Sequence, residues 1–152
     1  MDKSIKNKTE QDKWLLLDNQ LCFRLYSASK AITQAYTPLL DALNLTYPQY
    51  LSMMVLWETG SISVKDLGER LSLDSGTLSP LLKKLEAKNF VVRKRLETDE
   101  RVVMVTLTTK GKDLKKKAIE VPSQMFCKMD LKVKEMQELQ KKLDDLLANL
   151  NA

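Results

Sequence analysis

Residues 74–88 read Asp-Ser-Gly-Thr-Leu-Ser-Pro-Leu-Leu-Lys-Lys-Leu-Glu-Ala-Lys, and within them Leu78, Leu81, Leu82 and Leu85 recur at i, i+3, i+4 and i+7. That spacing sets four apolar side chains on one face of an α-helix. The opposite face carries Ser75, Thr77, Ser79, Lys83 and Lys84, small hydroxyls and flexible ammonium groups with no carboxylate before Glu86. A helix so divided buries one side and offers the other to a polyanion. Pro80 is at odds with it, because a proline inside a helix removes a hydrogen bond and crowds the carbonyl four residues back. The early turns are therefore expected to be distorted.

Upstream, Ser63-Val64-Lys65-Asp66 has the form of a helix start, with a serine cap and an acidic third helical residue. Val64, Leu67 and Leu71 continue it along one apolar side, and only Ser72-Leu73-Asp74 separates it from the next helix, which Asp74 is placed to cap. Two short helices joined so tightly form a helix-turn-helix over 63–88, whose second helix suits the DNA major groove.

Downstream the period changes to two. Phe90 to Leu96 and Val102 to Leu107 are rich in β-branched residues, with Glu97-Thr98-Asp99-Glu100 as the polar turn of a hairpin over 90–107. Alternation puts Arg93 and Arg95 on one face of the first strand, and Arg101 stands at the foot of the second. From Lys83 to Arg101 there are seven cations against four anions, an excess of three within a chain of net charge +5. A helix-turn-helix followed by a basic hairpin is a winged helix, and its positive charge gathers where a phosphate backbone would lie. Taken without further context, the same cations are also what a solvated surface looks like.

The remaining segments read as helices around this unit. Leu21, Cys22, Leu25, Ser29, Ile32 and Tyr36 trace a stripe from a cap at Asp18 to a break at Thr37-Pro38, with a short helix over Leu39–Leu43 beyond it. Trp14 to Leu17 either extend that helix backwards or pack across a dimer, and Met1 to Lys13 form a polar tail. Thr46 caps a helix opened by Tyr47-Pro48-Gln49, with Tyr50, Met53, Met54 and Trp57 inward and Gly60 at its end. Thr108 caps the helix after the wing, Pro122 interrupts the chain, and Met136, Leu139, Leu143, Leu146 and Leu150 form a heptad-like seam. That seam packs either on its own chain or, the preferred reading, against a second copy.

The chain of 152 residues is 43% hydrophobic and 30% charged, which suits one soluble, mainly α domain with a small β-wing. There is no histidine, so His triads and His metal ligands are excluded, and two distant cysteines make no zinc site. No Gly-rich phosphate loop is present, so neither a cofactor nor a metal is expected. No apolar run reaches membrane-spanning length, and the N-terminus lacks a signal-peptide core, so a cytoplasmic protein is expected. Lys115-Lys116-Lys117 reads as a solvated helical face.

The order of helix, Tyr47-Pro48-Gln49-Tyr50, helix-turn-helix, Asp99-Glu100-Arg101 and Leu107-Thr108-x-x-Gly111 resembles the MarR family of dimeric winged-helix regulators, across Leu21 to Leu150. Leu21-Cys22-Phe23-x-Leu25-Tyr26, Tyr36-Thr37-Pro38-Leu39-Leu40-Asp41 and Leu45-Thr46-Tyr47-Pro48-Gln49-Tyr50 resemble, within it, the organic hydroperoxide regulators, and Cys127 their two-cysteine members. The resemblance implies dimerisation helices at 14–44 and 109–152 around a DNA-binding winged helix at 45–108. It implies a homodimer on palindromic double-stranded operator DNA, acting as a repressor, with an organic hydroperoxide as effector and no membrane partner.

Residue by residue, it makes Cys22 the sensing thiol, hydrogen-bonded by Tyr36 and Tyr47 of the partner subunit with Tyr26 nearby, and Cys127 of the partner subunit the resolving thiol. Ser75, Thr77, Ser79, Lys83 and Lys84 face DNA, as do Arg93, Arg95 and Arg101 of the wing, and Asp99 pairs with an arginine to hold its tip. On residue chemistry alone, Cys22 is a small apolar stripe residue and the tyrosines are core. Phe23, Tyr47 and Trp57 are the aromatics available to line a peroxide pocket. Two rivals stand beside this reading: the same scaffold sensing a small phenolic ligand, and a thiol peroxidase enzyme.

Overall fold

A computed structural model describes residues 10–151. In chain order the helices are α1 (Glu10–Trp14), α2 (Leu21–Asp41), α3 (Tyr47–Thr59), α4 (Val64–Leu71), α5 (Ser75–Ala87), α6 (Thr109–Ala118), α7 (Val121–Met129) and α8 (Val133–Leu150). The strands are β1 (Ser61–Ser63), β2 (Val91–Leu96) and β3 (Asp99–Leu107), in antiparallel order β1-β3-β2. This is a mainly helical winged helix with long flanking helices. No described helix is long and apolar enough to cross a membrane.

Local chemistry accounts for the helix starts. Ser63 Oγ accepts the Asp66 N–H at 3.0 Å, and Asp74 Oδ1 accepts that of Thr77 at 2.9 Å. Thr108 Oγ1 accepts the Gly111 N–H at 3.0 Å, and Gln49 Oε1 accepts the Thr46 N–H at 3.1 Å. Each satisfies a backbone donor that the first turn leaves without a partner. Gly60 ends α3 at φ 74°, a left-handed geometry that favours glycine. Leu78, Leu81, Leu82 and Leu85 are all buried against Leu56, Leu67, Val91 and Val105, so α5 is clamped between α3, α4 and the sheet.

Several expectations are corrected. Asp18 is not a helix cap; it lies in a 3₁₀ turn (Leu17–Asn19), and α2 starts after an extended Gln20. Residues 14–17 therefore do not extend α2, and the tail expected over Met1 to Lys13 is helical from Glu10, its first nine residues lying outside those described. The break at Thr37-Pro38 does not occur, since α2 runs through Pro38 to Asp41. Proline forfeits one helical bond near the end of the helix, and docking of Leu40, 1% exposed, offsets it. By contrast, α5 keeps its expected start at Ser75 and runs through Pro80 to Ala87. Met54 faces outward, whereas Tyr50 and Met53 are buried. The wing turn is shorter than expected, Glu97-Thr98 alone, with Leu96 already opposite Asp99.

β1 was not legible. Its three residues pair with Thr106, Val105 and Met104 and tie the start of the helix-turn-helix to the wing. At the other end, α8 has no buried residue: Met136, Leu143 and Leu146 are half-buried, and Leu139 and Leu150 are exposed. The seam is therefore uncovered by its own chain.

Candidate nucleic-acid interface and thiol site

The turn between α4 and α5 depends on close backbone approach. Ser72 takes the left-handed conformation, the Leu73 N–H donates to the Gly68 carbonyl at 2.9 Å, and a Cβ at Gly68 would stand 2.9 Å from the Leu73 carbonyl oxygen. With its leucines buried, α5 turns Ser75, Thr77, Ser79, Lys83 and Lys84 to solvent. Thr77 is partly committed, because its hydroxyl donates to Asp74 Oδ2 at 2.8 Å. These donors hold the Asp74 carboxyl below the usual carboxylate range.

A groove of about 1200 Å³ between this helix and the wing is lined by Ser75 and Ser79 of α5, Ser63 at the end of β1, and Arg93 and Arg101 of the wing. At the wing tip the Arg95 guanidinium donates to the Glu100 carbonyl at 2.9 Å. Asp99 braces the tip through a backbone contact: its carboxylate accepts the Arg101 N–H at 3.0 Å, where an arginine side chain was expected. Lys94, Arg95 and Arg101 are exposed.

Two of the seven cations turn inward. The Arg93 backbone N–H, Nε and Nη2 donate to the two carboxylate oxygens of Glu86 at 3.1, 3.1 and 2.9 Å. Those bonds hold the Glu86 carboxyl below its ordinary range. Lys88, at the end of α5, donates to the Asn44 carbonyl at 2.7 Å and to Gln49 Oε1 at 3.0 Å, tying that helix to the α2–α3 turn. Burial, with Lys84 nearby, holds its ammonium below the usual lysine range. The sequence marks Arg93 as a wing cation expected to face DNA and Lys88 as one more charge of the basic cluster, and nothing in it pairs them with Glu86 or Gln49. A cation seven residues after a glutamate has no helical or strand register that would have suggested the first pairing.

Cys22 and Cys127 are both exposed and unpaired. Cys22 is the second residue of α2, in the turn where backbone N–H groups lack helical partners and the helix dipole favours negative charge. Tyr26 lies one turn along, 61% exposed, with Lys30 Nζ 5.5 Å from its ring centre. Tyr36 and Tyr47 are elsewhere: their rings pack 4.7 Å apart, and Tyr36 stands 5.9 Å from Tyr50. Burial raises the phenols of Tyr36 and Tyr47, and burial with both neighbours pushes Tyr50 up to about 12, so the hydroxyls remain O–H donors. At 1.5 Å rise per residue, Cys22 and Tyr36 are about 21 Å apart along α2. One chain does not bring them together.

Cys127 lies on α7, which packs on α2. Phe23 is exposed, and the Trp57 Nε1 donates to the Gly111 carbonyl at 2.8 Å. Of the expected trio of Phe23, Tyr47 and Trp57, neither Phe23 nor Tyr47 borders the cleft that Trp57 lines. Tyr50, Met54, Trp57, Ile119 and Pro122 border this smaller cleft, of about 370 Å³, between α3 and the α6–α7 corner. Among the described residues no group of three or more His, Cys, Asp or Glu side chains is placed to hold a metal.

A family model for the transcriptional regulator SarA/Rot matches residues 34–118. The organic hydroperoxide resistance transcriptional regulator of Bacillus subtilis (strain 168) is 44% identical over 147 residues, 97% of this chain and 98% of that protein. The chain belongs to the MarR family of winged-helix transcriptional regulators. It is a regulator and not an enzyme, which removes the thiol peroxidase reading. Among solved MarR-type structures, reduced AbfR bound to DNA, a Staphylococcus epidermidis protein, is 32% identical and superposes with a TM-score of 0.78 over 93% of this chain and 99% of that one. The disulfide form of AbfR, 33% identical over 90% and 96%, superposes with a TM-score of 0.65. This chain is closer in shape to the DNA-bound forms of AbfR, reduced or overoxidised (TM-score 0.77 for the latter), than to its disulfide form.

Proposed function

We propose that the chain is a cytoplasmic repressor that binds a palindromic operator as a homodimer and leaves it when an organic hydroperoxide oxidises Cys22. The observation that carries this reading is the setting of Cys22. It is exposed in the first turn of α2, on a stripe its own chain leaves uncovered, and about 21 Å from the tyrosine expected to serve it. A second copy laid against α2 and α8 covers that stripe and brings Tyr36 and Tyr47 of the partner subunit to the thiol.

The chemistry then runs in two steps. The Cys22 thiolate attacks one oxygen of the hydroperoxide, the O–O bond breaks, and the alkoxide leaves as the alcohol after taking a proton. The resulting sulfenic acid condenses with the thiol of Cys127 of the partner subunit, giving a disulfide and water. Forming that bond needs Cα atoms within about 7 Å, so the helices carrying the two cysteines shift. The shift turns the two winged helices out of register with major grooves about 34 Å apart. Ser75, Ser79, Lys83 and Lys84 of α5 face the groove, while Lys94, Arg95 and Arg101 follow the backbone.

The test uses a palindromic duplex selected by the reduced protein from a random-sequence library. Binding is measured before and after limiting cumene hydroperoxide for wild type, Cys22→Ser and Cys127→Ser, with non-reducing gels. Wild type is expected to lose binding and gain a dimer band that dithiothreitol reverses; Cys22→Ser keeps binding, and Cys127→Ser gives no band. Unchanged binding by oxidised wild type would exclude the switch.

A further inference from the structure

The wing carries one cation that the structure spends differently from the others. Arg93 and Glu86 make a closed arrangement in which the backbone N–H of Arg93 reaches one carboxylate oxygen and its Nε and Nη2 reach the other. Both side chains are partly buried, at 26% and 37% exposure. Among the described residues no carboxylate lies within ion-pair distance of Lys94, Arg95 or Arg101.

Glu86 sits in the last turn of α5, where the helix dipole disfavours an anion, on a helix otherwise suited to a polyanion. Both costs are offset by Arg93, whose planar fork and main chain grip one carboxylate and so fix direction as well as distance. Arg93 is also paired across the sheet with Val105, which is fully buried, so its place in the wing is anchored to the core. A phosphate brought to the same guanidinium would meet the Glu86 carboxylate.

We propose that Arg93 is a positioning residue: with Glu86 it forms a clasp that sets the angle of the wing against α5, and it does not itself hold a phosphate. The proposal rests on the DNA-binding reading given above. Lys94, Arg95 and Arg101 reach the backbone because the clasp aims the strand that carries or faces them.

Two measurements test it. Affinity for the selected duplex is compared among wild type, Glu86→Gln, Arg93→Met, Arg93→Lys and the exchanged pair Glu86→Arg with Arg93→Glu, with thermal melts confirming folding. Glu86→Gln is expected to weaken binding roughly 10-fold although it removes a negative charge beside DNA. Arg93→Met is expected to do the same, Arg93→Lys not to rescue because an ammonium lacks the fork, and the exchanged pair to recover part of the loss. If Glu86→Gln binds as well as wild type or better, and Arg93→Lys restores affinity, Arg93 is a phosphate contact and the clasp is wrong.

The second measurement needs no DNA. Amide hydrogen exchange in the free protein is expected to speed up across β2 and β3 in Glu86→Gln while α2 and α8 are unchanged. Unchanged exchange in the wing overturns the clasp. If reduced wild type fails to bind any selected duplex, the DNA-binding reading fails, and this exchange experiment still decides the clasp.

Discussion

At Gly111 the absence of a side chain holds two elements together. A Cβ there would overlap the carbonyl oxygen of Phe90, and the residue's own carbonyl accepts the Trp57 indole N–H, so α6 is pinned both to the start of β2 and to α3. Gly111→Ala is expected to lower stability by about 3 kcal/mol, because the clash is with backbone and no rotamer relieves it. Removing the neighbouring cap, Thr108→Ala, should cost about 1 kcal/mol. Chemical denaturation of the two variants checks the order. The tyrosines make a separate prediction. The Tyr50 phenol is pushed up to about 12, with Tyr36 and Tyr47 also raised, so above about pH 10 the folded chain keeps protons that the unfolded chain releases. Unfolding free energy should therefore fall as pH rises from about 10 towards 12, and Tyr50→Phe should flatten that fall. Of this cluster the sequence made the tyrosines visible, but the packing of Tyr36 on Tyr47 and Tyr50 joins two helices and needed the tertiary structure.

Among the elements, α8 and α2 expose what a solitary chain would be expected to cover. Leu139, Leu147 and Leu150 of α8 and Leu21, Phe23 and Ile32 of α2 all remain exposed. Burying such residues yields about 25 cal/mol per Å², which makes a second copy the natural cover. The double variant Leu139→Lys with Leu147→Lys is expected to sediment as a monomer with nearly unchanged far-UV circular dichroism, since both residues are exposed on their own chain. A dimer that survives these changes would place the interface elsewhere. The seam itself was readable from its spacing of three and four. Its lack of an intrachain partner was not, because amphipathicity is the same whichever molecule covers it. The passage of α2 through Pro38 has the same character: the local rule against it is sound, and burial of Leu40 outweighs it.

For the molecule as a whole, charge placement sets a measurable quantity. Lys83, Lys84, Lys94, Arg95 and Arg101 are exposed, while Lys88 and Arg93 are occupied internally. Roughly ten phosphate contacts from a dimer would make operator affinity fall about 10⁵-fold between 50 and 200 mM salt, with a log–log slope near −9. A titration across that range checks it. A slope much shallower would mean that the wing cations stay off the backbone, and Lys84→Gln should reduce the slope by about two, one contact from each subunit.

The helix-turn-helix, its caps at Ser63 and Asp74, the buried leucine face of α5 and the two long wing strands were all determined by the sequence, because each depends on residues within a few positions of one another. The three-residue β1 has no pattern of its own and exists through its pairing with residues 104–106. The inward turn of Arg93 and Lys88 and the bracing of Asp99 against a backbone N–H were likewise decided only by the tertiary structure. A charge or a thiol has the same local signature whether it meets solvent, DNA or its own chain. Which of these it meets depends on how elements distant in sequence pack together.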